Sequence, residues 1–110
     1  RDLGGVSMRS LNFFAMGQNL QKDPTCDFSG LVKGSKGYLQ AHFSFDAEWT
    51  GCGKVAVFTR LGKEYPAKLS ADACMIPEEA LSYSRLHVHV IGVRDGFRIK
   101  TNDVEIEQEG

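Results

Sequence analysis

The sequence predicts an all-β fold. Apolar and polar residues alternate strictly in several segments, which is typical of strands with one face in a core. Turn signals rich in Gly, Asp and Ser separate these segments at intervals of about ten residues, as in antiparallel sandwiches and barrels. A chain of 110 residues, 42% apolar and 25% charged, suits one globular domain with a single core.

The clearest strand covers residues 38–45, where every second residue is apolar and the residues between are polar. Residues 86–90 and 104–107 alternate in the same way, and residues 54–60 are nearly all apolar, which predicts a more central strand. The inward-facing side chains of these strands form the predicted core: Leu39, Ala41, Phe43, Phe45, Val57, Leu86, Val88, Val90, Val104 and Ile106.

Turn signals and weaker strands complete the pattern. Leu61-Gly62-Lys63 and Arg94-Asp95-Gly96 predict tight hairpins. Residues 76–81 predict one helical turn, because Pro77 suits the first helical position and two acids follow it. The remaining predicted strands are residues 11–16, 64–69 and 97–101, with a weak edge strand around 27–32.

About seven such strands, with a helical turn in a crossover, predict an immunoglobulin-like or fibronectin-like antiparallel β-sandwich. We place this single domain at residues 10–110, after an N-terminal extension or remnant at 1–9. The chain begins at Arg1 rather than Met, so we expect a processed, trimmed or partial product. Met8 is an alternative start, which would make residues 1–7 an upstream remnant.

Composition argues against several classes of partner. Thirteen basic and fourteen acidic residues leave a net charge of −1, so no nucleic-acid partner is expected. No apolar run is long enough to span a bilayer, so no membrane partner is expected either. Three cysteines at wide spacings, Cys26, Cys52 and Cys74, allow one disulfide with a spare thiol. Three reduced thiols in a cytosolic product is the simpler interpretation.

His87 and His89 are the only candidates for metal ligands, and they are weak ones. Residues i and i+2 of a strand point to the same side, so both imidazoles could share a zinc ion. A third ligand would have to come from His42 or a carboxylate on a neighbouring strand, and the sequence places none there. We therefore favour histidines on an outer sheet face or at a subunit contact, with no metal site.

The stretch Trp49-Thr50-Gly51-Cys52-Gly53 could be a binding loop or a structural corner. A catalytic Cys52 would need a base held against it, and no such arrangement is visible. We favour a corner in which Gly51 and Gly53 permit the bend, Trp49 caps the core and Cys52 is incidental. Trp49, Phe58, Tyr65 and Phe97 could stack on sugars, but their positions favour structural roles.

No carboxylate pair, phosphate-binding glycine loop or Ser-His-Asp arrangement emerges from the sequence. The sequence therefore predicts a protein that is not an enzyme, with no catalytic residues, no cofactor-binding residues and no obligatory cofactor or metal.

One long motif carries a resemblance to known proteins. A Gly-Ser precedes a Tyr-containing strand, a Phe-x-Phe-Asp-x-x-Trp-x-Gly corner and a Lys-x-Ala-x-Phe strand follow, and then come a Gly-x-x-Tyr hairpin and an Asp-x-Cys-x-Ile-Pro-x-Glu-x-Leu turn. In this chain they are Gly34, Ser35, Tyr38, Phe43, Phe45, Asp46, Trp49, Gly51, Lys54, Ala56, Phe58, Gly62, Tyr65, Asp72, Cys74, Ile76, Pro77, Glu79 and Leu81, followed by Gly92 and residues 98–102.

In this order the chain resembles a family of small proteins encoded among the structural genes of bacteriophages and prophages of Gram-positive bacteria. These are usually described as tail, baseplate or fibre-associated proteins, and the resemblance covers about residues 10–108. It implies a structural or attachment module of a virion (tail, baseplate, fibre or capsid surface) that contacts other virion proteins and forms a homo-oligomer. It would be found in the virion, and in the host cytoplasm during assembly. The rival interpretation is a carbohydrate-binding module that recognises host surface glycans through Trp49 or Tyr65.

Overall fold

The structure, a computed structural model, describes residues 8–109 as an all-β fold of two sheets that share one core. The strands are β1 (Arg9–Met16), β2 (Asn19–Lys22), β3 (Leu39–Phe45), β4 (Gly53–Arg60), β5 (Lys63–Lys68), β6 (Ala73–Met75), β7 (Arg85–Arg94), β8 (Phe97–Lys100) and β9 (Val104–Glu107). One sheet has the order β2-β1-β3-β6. The other has the order β5-β4-β7-β8, and β9 pairs with β7 beside β8.

One strand pair departs from the predicted antiparallel arrangement. β1 and β3 are parallel, whereas the other named strand pairs are antiparallel. The reason lies in the connection: β2 turns back along β1, and the segment at residues 23–38 then returns the chain to the end where β1 began. A parallel neighbour requires such a long crossover, and a two-residue hairpin cannot supply it.

The core agrees with the predicted alternation except at Val57. Leu39, Ala41, Phe43, Leu86, Val88, Val90 and Ile106 are buried in the shared core, and Phe45 and Val104 are half-buried against it. Val57 is only 6% exposed but pairs with His89 on the opposite face, so Ala56 and Phe58 are the inward residues of β4. Both faces of β4 are apolar, so the alternation that fixes the face elsewhere is missing there.

The predicted edge strand at residues 27–32 is wrong. Only Val32 forms a bridge, with Glu109. The Asp27 carboxylate instead accepts hydrogen bonds from the N–H of Ser29 at 2.8 Å and from its hydroxyl at 2.6 Å. Such local side-chain bonds compete with a strand ladder.

The remaining differences are small. β2 and β6 were not predicted, and the helical turn is a 3₁₀ turn at Ala80–Ser82, where Ala80 and Leu81 donate to the carbonyl of Pro77. Both predicted hairpins are present, with positive φ at Leu61, Gly62 and Gly96. β1 begins at Arg9, within the expected extension, and residues 1–7 lie outside the described residues.

Trp49 fills the end of the core between the sheets. Its side chain is fully buried, and its indole N–H donates to the carbonyl of Gly17 at 2.9 Å. Its ring lies 4.9 Å from that of Phe45 on β3. On β7, a Cβ at Gly92 would lie 2.6 Å from the indole carbon Cζ3, so this position has room only for glycine. The expected role of Trp49 as a buried cap of the core is confirmed.

Gly92→Ala should destabilise the fold by about 1–3 kcal/mol, because the methyl group would displace the buried indole. Gly53→Ala is the matched control. Gly53 lies in the same sheet, one register position from Gly92, and the nearest atom to an added Cβ is 3.8 Å away. The control should change the free energy of unfolding by less than about 1 kcal/mol. Urea denaturation of both variants checks this, and equal effects would contradict the close contact.

Candidate functional site

His87 and His89 lie side by side on the outer face of β7, as their spacing predicts. Each has its own carboxylate partner. His87 Nε2 lies 3.6 Å from Glu105 Oε1, and His89 Nδ1 lies 2.9 Å from Asp103 Oδ1. Within residues 8–109 no three His, Cys, Asp or Glu side chains come together as a metal site. His42, the third ligand considered, lies on β3 in the other sheet.

The Trp49–Gly53 stretch is a packed corner. Asp46 organises it, because its carboxylate accepts hydrogen bonds from the N–H groups of Gly17 at 2.8 Å and Glu48 at 3.1 Å. Gly51 has φ +80°, which a turn requires, whereas Gly53 is the first residue of β4 and has no positive φ. The need for glycine in the bend therefore lies at Gly51.

Arg94 holds this corner to β7, a role that the sequence does not signal. Its Nη1 donates to the carbonyls of Glu48 at 3.0 Å and Thr50 at 2.8 Å, and it lies 3.7 Å from the sulfur of Cys52. The guanidinium also stacks on the Phe97 ring, with Arg94 Cζ 4.0 Å from the ring centre. Cys52 is thus half-buried under a structural arginine.

The aromatic residues considered for sugar stacking are mostly inside the fold. Trp49 and Phe58 are fully buried, and Arg94 covers Phe97. Tyr65 is half-buried, with its hydroxyl 3.2 Å from that of Tyr83. Trp49 therefore offers no ring face to a sugar in this fold.

Two exposed strand edges are each protected at one position against pairing with another chain. On β2, the Asn102 side chain accepts from the N–H of Leu20 at 2.7 Å and donates to its carbonyl at 3.1 Å, as a neighbouring strand would. On β5, Pro66 lies opposite Val57, at a position whose backbone groups point away from β4. A proline there removes a donor from the open edge without weakening the ladder, a common protection of edge strands.

The edge of β9 is open. The N–H of Gln108 pairs with Ser84, so by alternation the backbone groups of Glu105 and Glu107 point away from β7. Among residues 8–109 these groups have no hydrogen-bond partner. The segment at residues 27–33 covers only the end of this edge, at Glu109.

A cavity of about 320 Å³ lies beside this open edge, lined by residues 28–31 and 107–109. Gln108 lies in its wall, and its amide N–H₂ donates to the carbonyls of Leu81 and Tyr83. The Gln108 Oε1 atom is buried and has no partner among the described residues. A buried acceptor of this kind normally has a donor, so this atom is an exception among the described residues.

Neither the wider architecture nor similarity to known proteins adds an assignment. None of the described helices is long and apolar enough to cross a bilayer. Comparison of the chain with protein-family models, with curated proteins and with solved structures gives no significant match.

Cys74 should be the least reactive of the three cysteines, all unpaired in the described chain. Burial against the core raises the pKa of its thiol to about 11, so only about one thousandth is thiolate at pH 8. We expect a thiol reagent to modify native Cys74 slowly at pH 8, and faster as the pH rises toward 11. Variants that keep one cysteine each allow the measurement, with urea-unfolded protein as the control. A Cys74 that reacts equally fast folded and unfolded would contradict this placement.

Proposed function

We propose that this chain is a non-enzymatic structural or attachment module of a bacteriophage virion. It acts through contacts with other virion proteins and with copies of itself, as a component of the tail, baseplate, fibre or capsid surface. We further propose that its two sheets form a sandwich of the immunoglobulin-like or fibronectin-like kind. The protein would be found in the virion, and in the host cytoplasm during assembly.

The resemblance to phage structural proteins supports this proposal through residues that build the fold. Trp49 is fully buried, Gly92 makes room for its ring and Gly62 has the positive φ of a hairpin turn. Positions of this kind specify a scaffold. A scaffold without an assembled catalytic set among its described residues suits a protein that works by binding.

The single observation that carries the proposal is the open edge of β9 beside the cavity. An extended segment of a partner could add to this edge through the backbone groups of Glu105 and Glu107. One of its side chains could then enter the cavity beside Glu107. The Asn102 side chain at β2 and Pro66 at β5 would disfavour the same pairing on those two strands.

The location of the protein tests the proposal most directly. We expect immunogold labelling of intact phage particles to mark a defined site on the virion. Protein found only free in infected cells, and absent from every particle, would overturn the structural role. Saturable binding to host cell-wall polysaccharide that is lost in a folded Tyr65→Ala variant would favour the glycan-binding alternative instead.

Glu107→Pro should reduce incorporation into particles while the domain stays folded. The N–H at this position points away from β7, so proline removes a donor from the open edge and leaves the β7–β9 ladder in place. Glu107→Ala is the matched control, because it removes the carboxylate and its 3.5 Å contact with Arg85 but keeps the N–H. Incorporation is measured by immunoblotting purified particles. Equal incorporation of both variants would show that this edge is not used.

A further inference from the structure

We call the side of the five-stranded sheet that points away from the core the outer face. The strand register orders it in cross-strand rows, since paired residues share a face. Row one contains Glu64, Thr59, His87 and Glu105. Row two contains Pro66, Val57 and His89, with Asp103 beside His89. Row three contains Lys68, Val55, Ile91 and Lys100. Row four contains Gly53, Val93 and Arg98.

An apolar stripe runs through the middle of the outer face. Val57 and Val55 on β4 lie beside Ile91 and Val93 on β7. Val93 is 52% exposed and Val55 and Ile91 are half-buried, whereas Val57 is covered by its neighbours. The outer face of a half-solvated antiparallel sheet is normally polar. The exposed apolar part of this face, at Val93 with Val55 and Ile91, is therefore available for a contact.

Charges of opposite sign flank this stripe at its two ends. The end at rows one and two carries the acidic residues Glu64, Asp103 and Glu105. Arg85 lies beyond them, with its Nε 3.5 Å from Glu107 Oε2 and 4.0 Å from Glu105 Oε2. The other end carries the basic residues Lys68, Lys100 and Arg98. When two such faces pack with their ends reversed, the acidic end of each lies opposite the basic end of the other.

We propose that the outer face binds the same face of a second copy of this chain. The two-fold axis lies between the outer faces of the two copies and runs perpendicular to their strands. This inference rests on the proposed role in protein contacts and names the partner for this surface. Row one of one copy then faces row four of the other, and row two faces row three. Glu105 lies opposite Arg98, and Asp103 lies opposite Lys100.

The charges select this orientation over the other symmetric one. With an axis parallel to the strands, each row would face the same row of the other copy, and the β5 edge of one sheet would lie opposite the β8 and β9 edge of the other. Glu64 would then face Glu105, and Lys68 would face Lys100. Like charges opposed in this way disfavour association, whereas the axis across the strands opposes acids and bases.

Charge reversal at one contact tests the orientation. Arg98→Glu and Glu105→Arg should each weaken self-association about tenfold or more, because each opposes like charges at two symmetric contacts. An equimolar mixture of the two variants should recover association, since every such contact in the mixed dimer again joins opposite charges. Sedimentation equilibrium measures the dissociation constants. Lys36→Glu is the control with the same charge change as Arg98→Glu, because Lys36 belongs to none of the four rows and pairs with Glu78.

Two valines of similar exposure test the apolar stripe. Val93 and Val32 are 52% and 56% exposed, and only Val93 lies on the outer face. We expect Val93→Ser to weaken association and Val32→Ser to leave it unchanged. The reverse result would assign self-association to the β9 edge and overturn the inference. A wild-type chain that stays monomeric at about 1 mM would also overturn it, without bearing on whether the protein is found in virions.

Discussion

The contact between the Trp49 indole and Gly92 is the constraint on which the rest of this fold depends. The indole joins three parts of the chain. Its N–H donates to the carbonyl of Gly17, which follows β1. Its ring packs on Phe45 at the end of β3 and lies against Gly92 on β7. It therefore connects the two sheets at one end of the core. Arg94, two residues after Gly92, binds the same corner from outside. The close approach of indole and backbone sets how near the sheets can lie at this end.

The two sheets also meet through a few polar groups at their edges. Asn102 follows β8 in the five-stranded sheet, yet its side-chain amide pairs with the backbone of Leu20 in the other sheet. The backbone N–H of Asn102 also donates to the carbonyl of Gln18. One side chain therefore both holds the sheets together and covers an edge, which leaves fewer backbone groups free for other chains.

The sequence predicted best those strands whose two faces differ in polarity. β3, β7 and β9 alternate clearly, and their inward residues were predicted correctly. β4 was assigned to the wrong face at Val57 because its outer side is also apolar. The short strands β2 and β6 carry too few residues for a periodic signal and depend on their neighbours.

The candidate sites divide in the same way. The shared face of His87 and His89 follows from strand spacing, which is local. Their carboxylate partners depend on the pairing of β7 with β9 and on the loop before it. The roles of Arg94 and Asn102 depend on backbone groups 44 and 82 positions away in the chain, and no motif reports such contacts. The open edge of β9 likewise appears only when the path of residues 27–33 is known.

The error at Val57 and the proposed self-association have one physical origin. A strand that is apolar on both sides gives no alternation to follow, and in this protein the second apolar side is the centre of the outer face. The edge of β9 is a separate surface, because the backbone of Glu107 points along the sheet whereas outer-face side chains stand perpendicular to it. A pair of chains joined through their outer faces would therefore keep both β9 edges free. Under the two proposals together, such a pair would present two symmetric edges to the particle, so that one dimer could bridge two copies of the same virion protein.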